Sequence, residues 1–139
     1  MHSFPARQET ENAPYYIDFT LEEVPSLSLW YPSNKRLYLP DFWYWIKDAS
    51  LFTCILHNDA TRGGPLEDLY TTLCTTPLGW QTYIFIRHFR KLGWFVYSAF
   101  GYGMHFQLYT ERCDITHGTI LVRVVEDTKK LSWSFIQVY

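Results

Sequence analysis

The period of the hydrophobic pattern changes at Gly93, and this change constrains the fold more than any other feature of the sequence. Before it, the segment LGWQTYIFIRHFRKLG places Phe85, Phe89 and Leu92 at helical spacing, which predicts a helix that begins at Pro77. After Gly93, apolar and polar residues alternate as they do in β-strands. This order predicts a helix packed on a β-meander, hence an α+β fold rather than repeated βαβ units.

Three segments carry the strand alternation: WFVYSAF, MHFQLY and HGTILVRVV, with a GYG turn between the first two. In the second strand, Phe106 and Leu108 are predicted to face one side of the sheet. His105 and Tyr109 are predicted to face the other side. The third strand has three branched side chains on one face, Ile120, Val122 and Val124. The last segment, LSWSFIQVY, fits a helix that begins at Ser132 or a strand, and we favour the helix.

The chain before the helix at Pro77 has a mixed pattern. Residues 1–14 are polar and predict a flexible leader, and prolines then divide the chain into short extended pieces. DFWYWIKDASLFTCIL is apolar nearly all round and predicts a buried helix with Asp41 as its N-cap. LEDLYTTLCTT predicts a second, short helix. We therefore expect an N-terminal α/β lobe at residues 15–76 and a second lobe at residues 77–139.

The composition limits the classes of partner. The 6 Trp, 11 Tyr and 10 Phe residues are more rings than we expect a small domain to enclose, which predicts an obligate partner surface. With 12 Lys and Arg against 14 Asp and Glu, the net charge is −2, so the chain is not expected to bind nucleic acid unaided.

The odd count of three cysteines, without a C-x-x-C pair, predicts buried thiols in a reducing compartment. The chain lacks a targeting leader and a membrane-length apolar run, which predicts a soluble intracellular protein.

Several kinds of chemistry have no motif in the sequence. H-E-x-x-H, P-loop and G-x-S-x-G patterns are absent, so neither a metal nor a nucleotide cofactor is expected. The acidic residues Asp59, Glu67 and Asp68 flank a Gly-Gly-Pro break and are more simply explained as part of a loop. Three cations, Arg87, Arg90 and Lys91, fall on the polar face near the end of the predicted helix. A solvated face favoured by the helix dipole is the simpler interpretation, and RNA phosphate contact is the alternative.

An ordered set of motifs in the second lobe resembles the catalytic core of the tRNA-splicing endonuclease family. The set comprises the aromatic helix at residues 83–89, the run Arg90-Lys91-Leu92-Gly93-Trp94, the Tyr102-Gly103 turn, Tyr109 and His117. The spacing of eight residues from Tyr109 to His117, with LSW at 131–133, is most similar to the eukaryotic subunit that cuts the 5′ splice site. The resemblance covers about residues 77–133, and a weaker one extends over the helices upstream.

The resemblance implies a nuclease-like lobe and a metal-independent attack of a ribose 2′-OH on the adjacent phosphate of precursor tRNA. It implies Tyr109 as the base and His117 as the acid, in a hetero-oligomer with other endonuclease subunits. It also implies a nuclear location, with the cytoplasm or the outer surface of mitochondria as alternatives. Neighbouring strands lie about 5 Å apart, so a tyrosine closing one strand and a histidine opening the next can flank one phosphate.

The sequence departs from the family pattern at a few positions. The family lysine that stabilises the charged phosphorane is expected on a helix beyond Tyr139, which implies a C-terminally truncated catalytic subunit. Gly101 stands where the family has a lysine, and His105 stands where it has an aspartate. His105 could assist Tyr109 or could be an ordinary strand histidine. Two other functions therefore stay open: a non-catalytic structural subunit of the same complex, and an unrelated aromatic-rich interaction module.

Overall fold

A computed structural model of the chain describes residues 3–10, 14–31, 35–56, 65–99, 104–111, 119–126 and 131–138. Within these ranges the predicted α+β class is confirmed, because helices and small sheets precede a helix and an antiparallel four-stranded sheet. Several predicted features lie outside the described residues: the GYG turn with Gly101, the acid Asp59, and His117.

Two small sheets form the start of the fold. Strand β1 (Ser3–Ala6) pairs in parallel with β4 (Thr53–Leu56), and β2 (Tyr16–Phe19) pairs antiparallel with β3 (Lys35–Tyr38). A short 3-10 helix, Pro25–Leu29, lies between β2 and β3. The prediction of a flexible leader at 1–14 is wrong for β1, because Phe4 and Ala6 are only 4% and 0% exposed. Their burial in the core holds this segment in place.

Helix α1 (Leu39–Lys47) is shorter than the sequence pattern predicted. Its N-cap is Tyr38 rather than Asp41, and Pro40 occupies the first turn, where its missing N–H costs nothing. The prediction that helix continues through TCIL is wrong, because residues 53–56 form β4. Their partner strand, β1, lies about fifty residues earlier in the chain, a distance that local sequence patterns do not report.

The next two helices were predicted. Helix α2 spans Pro65–Thr75 and helix α3 spans Gly79–Lys91, although α3 begins at Gly79 rather than at the predicted Pro77. Gly93 has a φ of +96°, a left-handed conformation that ends α3 as predicted. Leu78, just before α3, also has a positive φ of 58°.

The large sheet has the strand order β5 (Phe95–Ser98), β6 (Phe106–Tyr109), β7 (Thr119–Glu126) and β8 (Leu131–Val138), with every pair antiparallel. The predicted β-meander is therefore confirmed. The helix that we favoured from Ser132 is wrong, because residues 131–138 pair with β7 along its whole length. This eight-residue pairing satisfies the backbone groups of β7 that would otherwise form an open edge.

Two clusters of buried side chains hold the sheet between them. The smaller cluster joins α3 to one face of the sheet through Ile86, Phe89, Val96, Phe106, Leu108, Val122 and Val124. The larger cluster lies mainly among the elements from β1 to α2 and reaches the opposite face of the sheet, where Phe95, Tyr97 and Tyr109 pack against it. The alternation predicted for the second strand is confirmed, because Phe106 and Leu108 are buried while Gln107 and Tyr109 are partly exposed.

Most aromatic rings in the described part of the chain lie in or against these clusters, so the interior holds more rings than the composition led us to expect. The large exposed rings there are Tyr70 and Trp80, which pack edge to face at 5.8 Å between centroids.

Among the cysteines, Cys54 is buried as predicted, but Cys74 is exposed. Among the described residues, no helix is long and apolar enough to cross a membrane.

Candidate active site

Tyr109 is the last residue of β6, where it pairs with Phe95 of β5. Its ring is partly buried and packs edge to face on Tyr97, with 5.3 Å between the ring centroids. Its hydroxyl donates a long hydrogen bond of 3.3 Å to Oε1 of Gln107, on the same face of the strand. The phenol therefore lies at the end of the strand with its ring held by packing and its hydroxyl only weakly bonded.

His117 lies outside the described residues, so its predicted role as an acid stays a prediction. The strands around it are described. Leu108 of β6 pairs with Ile120 of β7, which brings the start of β7 beside the end of β6. The chain thus returns from Tyr109 to a neighbouring strand, as the predicted pairing of the two residues requires.

His105 has a definite place in the sheet. Its backbone N–H donates to the carbonyl of Val122 at 2.9 Å, and its Nδ1 accepts the backbone N–H of Val124 at 2.9 Å. Burial lowers the pKa of His105, and the charge of Arg123 lowers it further. The imidazole therefore favours the neutral form. Its Nδ1 lone pair accepts the backbone N–H of Val124 in β7. Assistance to Tyr109 stays a prediction.

The three cations of α3 have different surroundings. Lys91 is exposed, and Arg87 is partly buried, with its guanidinium 5.6 Å from the ring centroid of Tyr83. Arg90 is buried, so the expectation that it shares a solvent-facing side with the other two is wrong. Its guanidinium is enclosed by aromatic rings, 4.5 Å from Tyr44 and 4.6 Å from Trp45.

Arg90 belongs to a buried polar network that sequence reasoning missed. Its Nη2 lies 2.7 Å from Asp41 Oδ1, and each side chain is only 1% exposed. The same Nη2 donates to the backbone carbonyl of Val96 at 2.6 Å and to the Tyr31 hydroxyl at 3.1 Å. Asp41 Oδ2 accepts hydrogen bonds from Tyr31 at 2.9 Å and from Ser98 at 3.3 Å. The network thereby joins α1 to α3 and β5.

The electrostatics of this network favour a charged arginine beside a protonated tyrosine. Burial by itself lowers the pKa of Arg90, but Asp41 and Tyr31 outweigh burial and the pKa is raised. Burial raises the pKa of Tyr31 well above its usual range, and the Asp41 carboxylate raises it further. The phenol therefore keeps its proton and donates a hydrogen bond to Asp41. The sequence signal was present but ambiguous, since an Asp after a proline at a helix start is more often a cap.

Some polar atoms of the network have no hydrogen bond within the described part of the chain. These atoms are Nε and Nη1 of Arg90 and Oδ1 of Asp41. Asp41 Oδ1 is close enough to Arg90 Nη2 for an ion pair, but the angles are not those of a hydrogen bond. Buried charges with incomplete hydrogen bonding cost stability relative to apolar packing. The network is therefore not explained by stability alone.

The described residues contain no group of three His, Cys, Asp or Glu side chains arranged to hold a metal ion. The end of β6 offers a group for acid–base chemistry, because a tyrosine hydroxyl lies there next to the returning strand β7. An ordinary tyrosine at a strand end would have the same geometry.

Residues 79–138 match the family described as "tRNA intron endonuclease, catalytic C-terminal domain". No curated protein matches the chain significantly. The matched segment runs from the first residue of α3 to the end of β8, so it includes α3 and the four-stranded sheet. It includes both Tyr109 and His117, so this part of the chain is similar to the catalytic domain of that family.

Proposed function

We propose that this chain is a subunit of a tRNA-splicing endonuclease that cleaves precursor tRNA at the 5′ splice site. The observation that carries the proposal is the position of Tyr109. It ends β6 with a partly exposed side chain, inside the segment that matches the catalytic domain. Tyr109 and His117 are the residues to which we assign the chemistry.

The proposed reaction is an internal transfer at phosphorus. Tyr109 removes the proton from the ribose 2′-OH, whose oxygen attacks the adjacent phosphorus. A new bond forms between the 2′ oxygen and phosphorus while the bond from phosphorus to the 5′ oxygen breaks. His117 gives a proton to that leaving oxygen, because a histidine with an ordinary pKa near 6.5 can act as an acid at neutral pH. The products are a 2′,3′-cyclic phosphate and a 5′-OH, and no metal is needed.

The proposed base needs help from a cation. Phenols have an ordinary pKa of about 10, so they act as bases at neutral pH only beside positive charge. Arg90 is not available for this task, because its guanidinium is buried against Asp41 and the aromatic rings. We therefore assign the stabilising charge to a lysine or arginine outside the described residues or on a partner subunit.

The assembly follows from the charge and the chemistry. With a net charge of −2, the chain needs other endonuclease subunits to supply most of the phosphate contacts of precursor tRNA. Arg87 and Lys91 are its own candidates for such contacts, and a nuclear location is part of the proposal. The second candidate is a non-catalytic structural subunit of the same complex. It is favoured by His105, which replaces the expected aspartate and uses its Nδ1 within the sheet.

Cleavage of an intron-containing precursor tRNA tests the proposal. The chain is assembled with candidate partner subunits, and wild type is compared with His117→Ala and with the control His88→Ala, whose imidazole is exposed on α3. We expect a 5′-site product with a cyclic phosphate end from wild type and from the control, and none from His117→Ala. A complex that forms and binds the RNA, yet cleaves equally well with or without His117, would leave only the structural role.

A further inference from the structure

The buried network around Arg90 is connected to Tyr109 by a row of aromatic rings. Tyr31 packs edge to face on Tyr97 with 5.2 Å between centroids and 74° between planes. Tyr97 packs on Tyr109 in the same way, at 5.3 Å and 78°. The row leads from the centre of the N-terminal lobe across the face of the sheet to the end of β6.

The inner end of this row is fixed in position. The Tyr31 hydroxyl donates to Asp41 and accepts from Arg90 Nη2 and from the Trp45 indole at 3.2 Å. Its ring is only 1% exposed. A buried phenol with three hydrogen-bond partners has little freedom to turn, and edge-to-face packing passes that restriction to the next ring.

The backbone of β5 is fixed by the same network. Arg90 donates to the carbonyl of Val96, and Ser98 donates to Asp41, so residues on both sides of Tyr97 are bonded to the network. Tyr109 is paired with Phe95 on this same strand. Both the strand and the ring next to Tyr109 are therefore held by one buried cluster.

We propose that Arg90, Asp41 and Tyr31 are positioning residues that set the orientation of the Tyr109 ring through Tyr97. The inference rests on the proposed function of Tyr109. The hydroxyl of Tyr109 has only the long contact to Gln107 among the described residues, so its direction depends on how the ring is held. Misplacement of a catalytic group by about 1 Å costs up to about a hundredfold in rate. If the orientation of Tyr109 depends on this network, the buried and incompletely hydrogen-bonded pair of Arg90 and Asp41 has a role besides stability.

The test uses a variant that removes one oxygen and a matched control. Tyr31→Phe deletes the hydroxyl shared by Asp41 and Arg90 but keeps the ring against Tyr97. The control Tyr83→Phe deletes another tyrosine hydroxyl that donates to a carboxylate. The Tyr83 hydroxyl donates to Asp48 at 2.7 Å, and this bond also joins α3 to the end of α1. The full chain is labelled with 3-fluorotyrosine, and the Tyr109 fluorine resonance is identified by its loss in Tyr109→Phe. Thermal unfolding checks that each variant is folded, and the isosteric Asp41→Asn serves as the second test variant.

We expect the Tyr109 resonance to shift or broaden in Tyr31→Phe and to stay unchanged in Tyr83→Phe. In the assembled enzyme, we expect kcat for Tyr31→Phe to fall by about tenfold with KM within about twofold, since positioning acts on the chemical step. A Tyr109 resonance that is unchanged in both Tyr31→Phe and Asp41→Asn would overturn the inference, whatever the activity. Absence of cleavage by the wild-type assembly would instead overturn the proposed function.

Discussion

The guanidinium of Arg90 meets the carboxylate of Asp41 at 2.7 Å, and each side chain is 1% exposed to solvent. The two residues lie on different helices, α3 and α1, in the two halves of the chain. The pair is therefore a buried ionic contact between α1 and the segment that matches the endonuclease domain.

Removal of one member of this pair is expected to destabilise the protein strongly. Arg90→Met leaves Asp41 as an uncompensated buried charge, which costs about 3–5 kcal/mol of the free energy of unfolding. The double variant Asp41→Leu/Arg90→Met is expected to be more stable than either single variant, because no lone charge remains. Urea unfolding monitored by tryptophan fluorescence measures all three.

The exposed ion pairs of Arg36 provide the control. Arg36 lies 3.0 Å from Asp18 and 2.6 Å from Glu9, and all three side chains are at least 37% exposed. Arg36→Met is expected to cost about 1 kcal/mol or less, because water screens such pairs. Equal losses of stability in Arg36→Met and Arg90→Met would contradict the account of the buried pair.

The position of His105 predicts a pH dependence of stability. Its pKa is lowered in the folded protein, so the unfolded chain binds more protons as the pH falls through the ordinary histidine value of about 6.5. The contribution of neutral His105 is complete above that pH and is lost progressively below it, down to the folded pKa. His105→Asn keeps an acceptor for the Val124 N–H and is expected to flatten this part of the profile.

The comparison is a series of urea unfolding curves between about pH 5 and pH 8. His88→Asn, at an exposed site on α3, is expected to keep the slope of wild type. A wild-type slope retained in His105→Asn would show that other groups cause the pH dependence. His105→Asn also distinguishes a role of His105 in assisting Tyr109 from a purely structural role. A purely structural role predicts unchanged RNA cleavage at neutral pH.

Two glycines near the ends of α3 are required for different reasons. A Cβ on Gly79 would collide with the backbone carbonyl of Leu73, so Gly79→Ala forces the backbone to move. A Cβ on Gly93 meets nothing within 4 Å, but the φ of +96° is unfavourable for any L side chain. We expect Gly93→Ala to cost about 1–2 kcal/mol and Gly79→Ala to cost more. Thermal unfolding checks the order, and a Gly79→Ala protein as stable as wild type would contradict the packing described.

The cations Arg87 and Lys91 of α3 are expected to contribute to RNA affinity. The double variant Arg87→Gln/Lys91→Gln is expected to bind precursor tRNA more weakly in the assembled complex. The slope of log affinity against log salt concentration is expected to fall by about one for each phosphate that the variant no longer neutralises. Arg36→Gln, an exposed cation on β3 in the N-terminal lobe, is the control and is expected to change neither quantity. Filter binding at several salt concentrations measures both, and unchanged affinity in the double variant would remove these residues from the RNA surface.

The helix and meander of the second lobe were predictable because their signals are local. Gly93 marks the change of period, and the alternation of Phe106 and Leu108 with polar neighbours identifies a strand with one buried face. β8 was missed although LSWSF alternates, because only pairing with β7 decides between strand and helix there. β4 was missed for the same reason, since its partner is β1.

The site was predictable only where a motif exists. The family pattern identified Tyr109, and the structure places it at the end of β6 as predicted. Nothing local in the sequence identified Arg90 as buried, because its partners Asp41 and Tyr31 lie far from it in the sequence. A charged residue among aromatics on a helix has the same sequence pattern whether its side chain faces water or a buried carboxylate.

The most direct test of the central claim uses a precursor tRNA with a single 2′-deoxyribose at the 5′ splice site, in the presence of EDTA. Three assembled complexes are compared, which contain the wild-type chain, Tyr109→Phe or Tyr70→Phe. Tyr70→Phe is the control, because the Tyr70 ring is 48% exposed. Each complex is given this RNA and its all-ribose form. We predict that wild type and Tyr70→Phe cut the all-ribose RNA to a cyclic phosphate, that neither cuts the deoxy RNA, and that Tyr109→Phe cuts neither. Cleavage of the deoxy RNA, or loss of all cleavage in EDTA, would contradict a metal-independent attack by the 2′-OH.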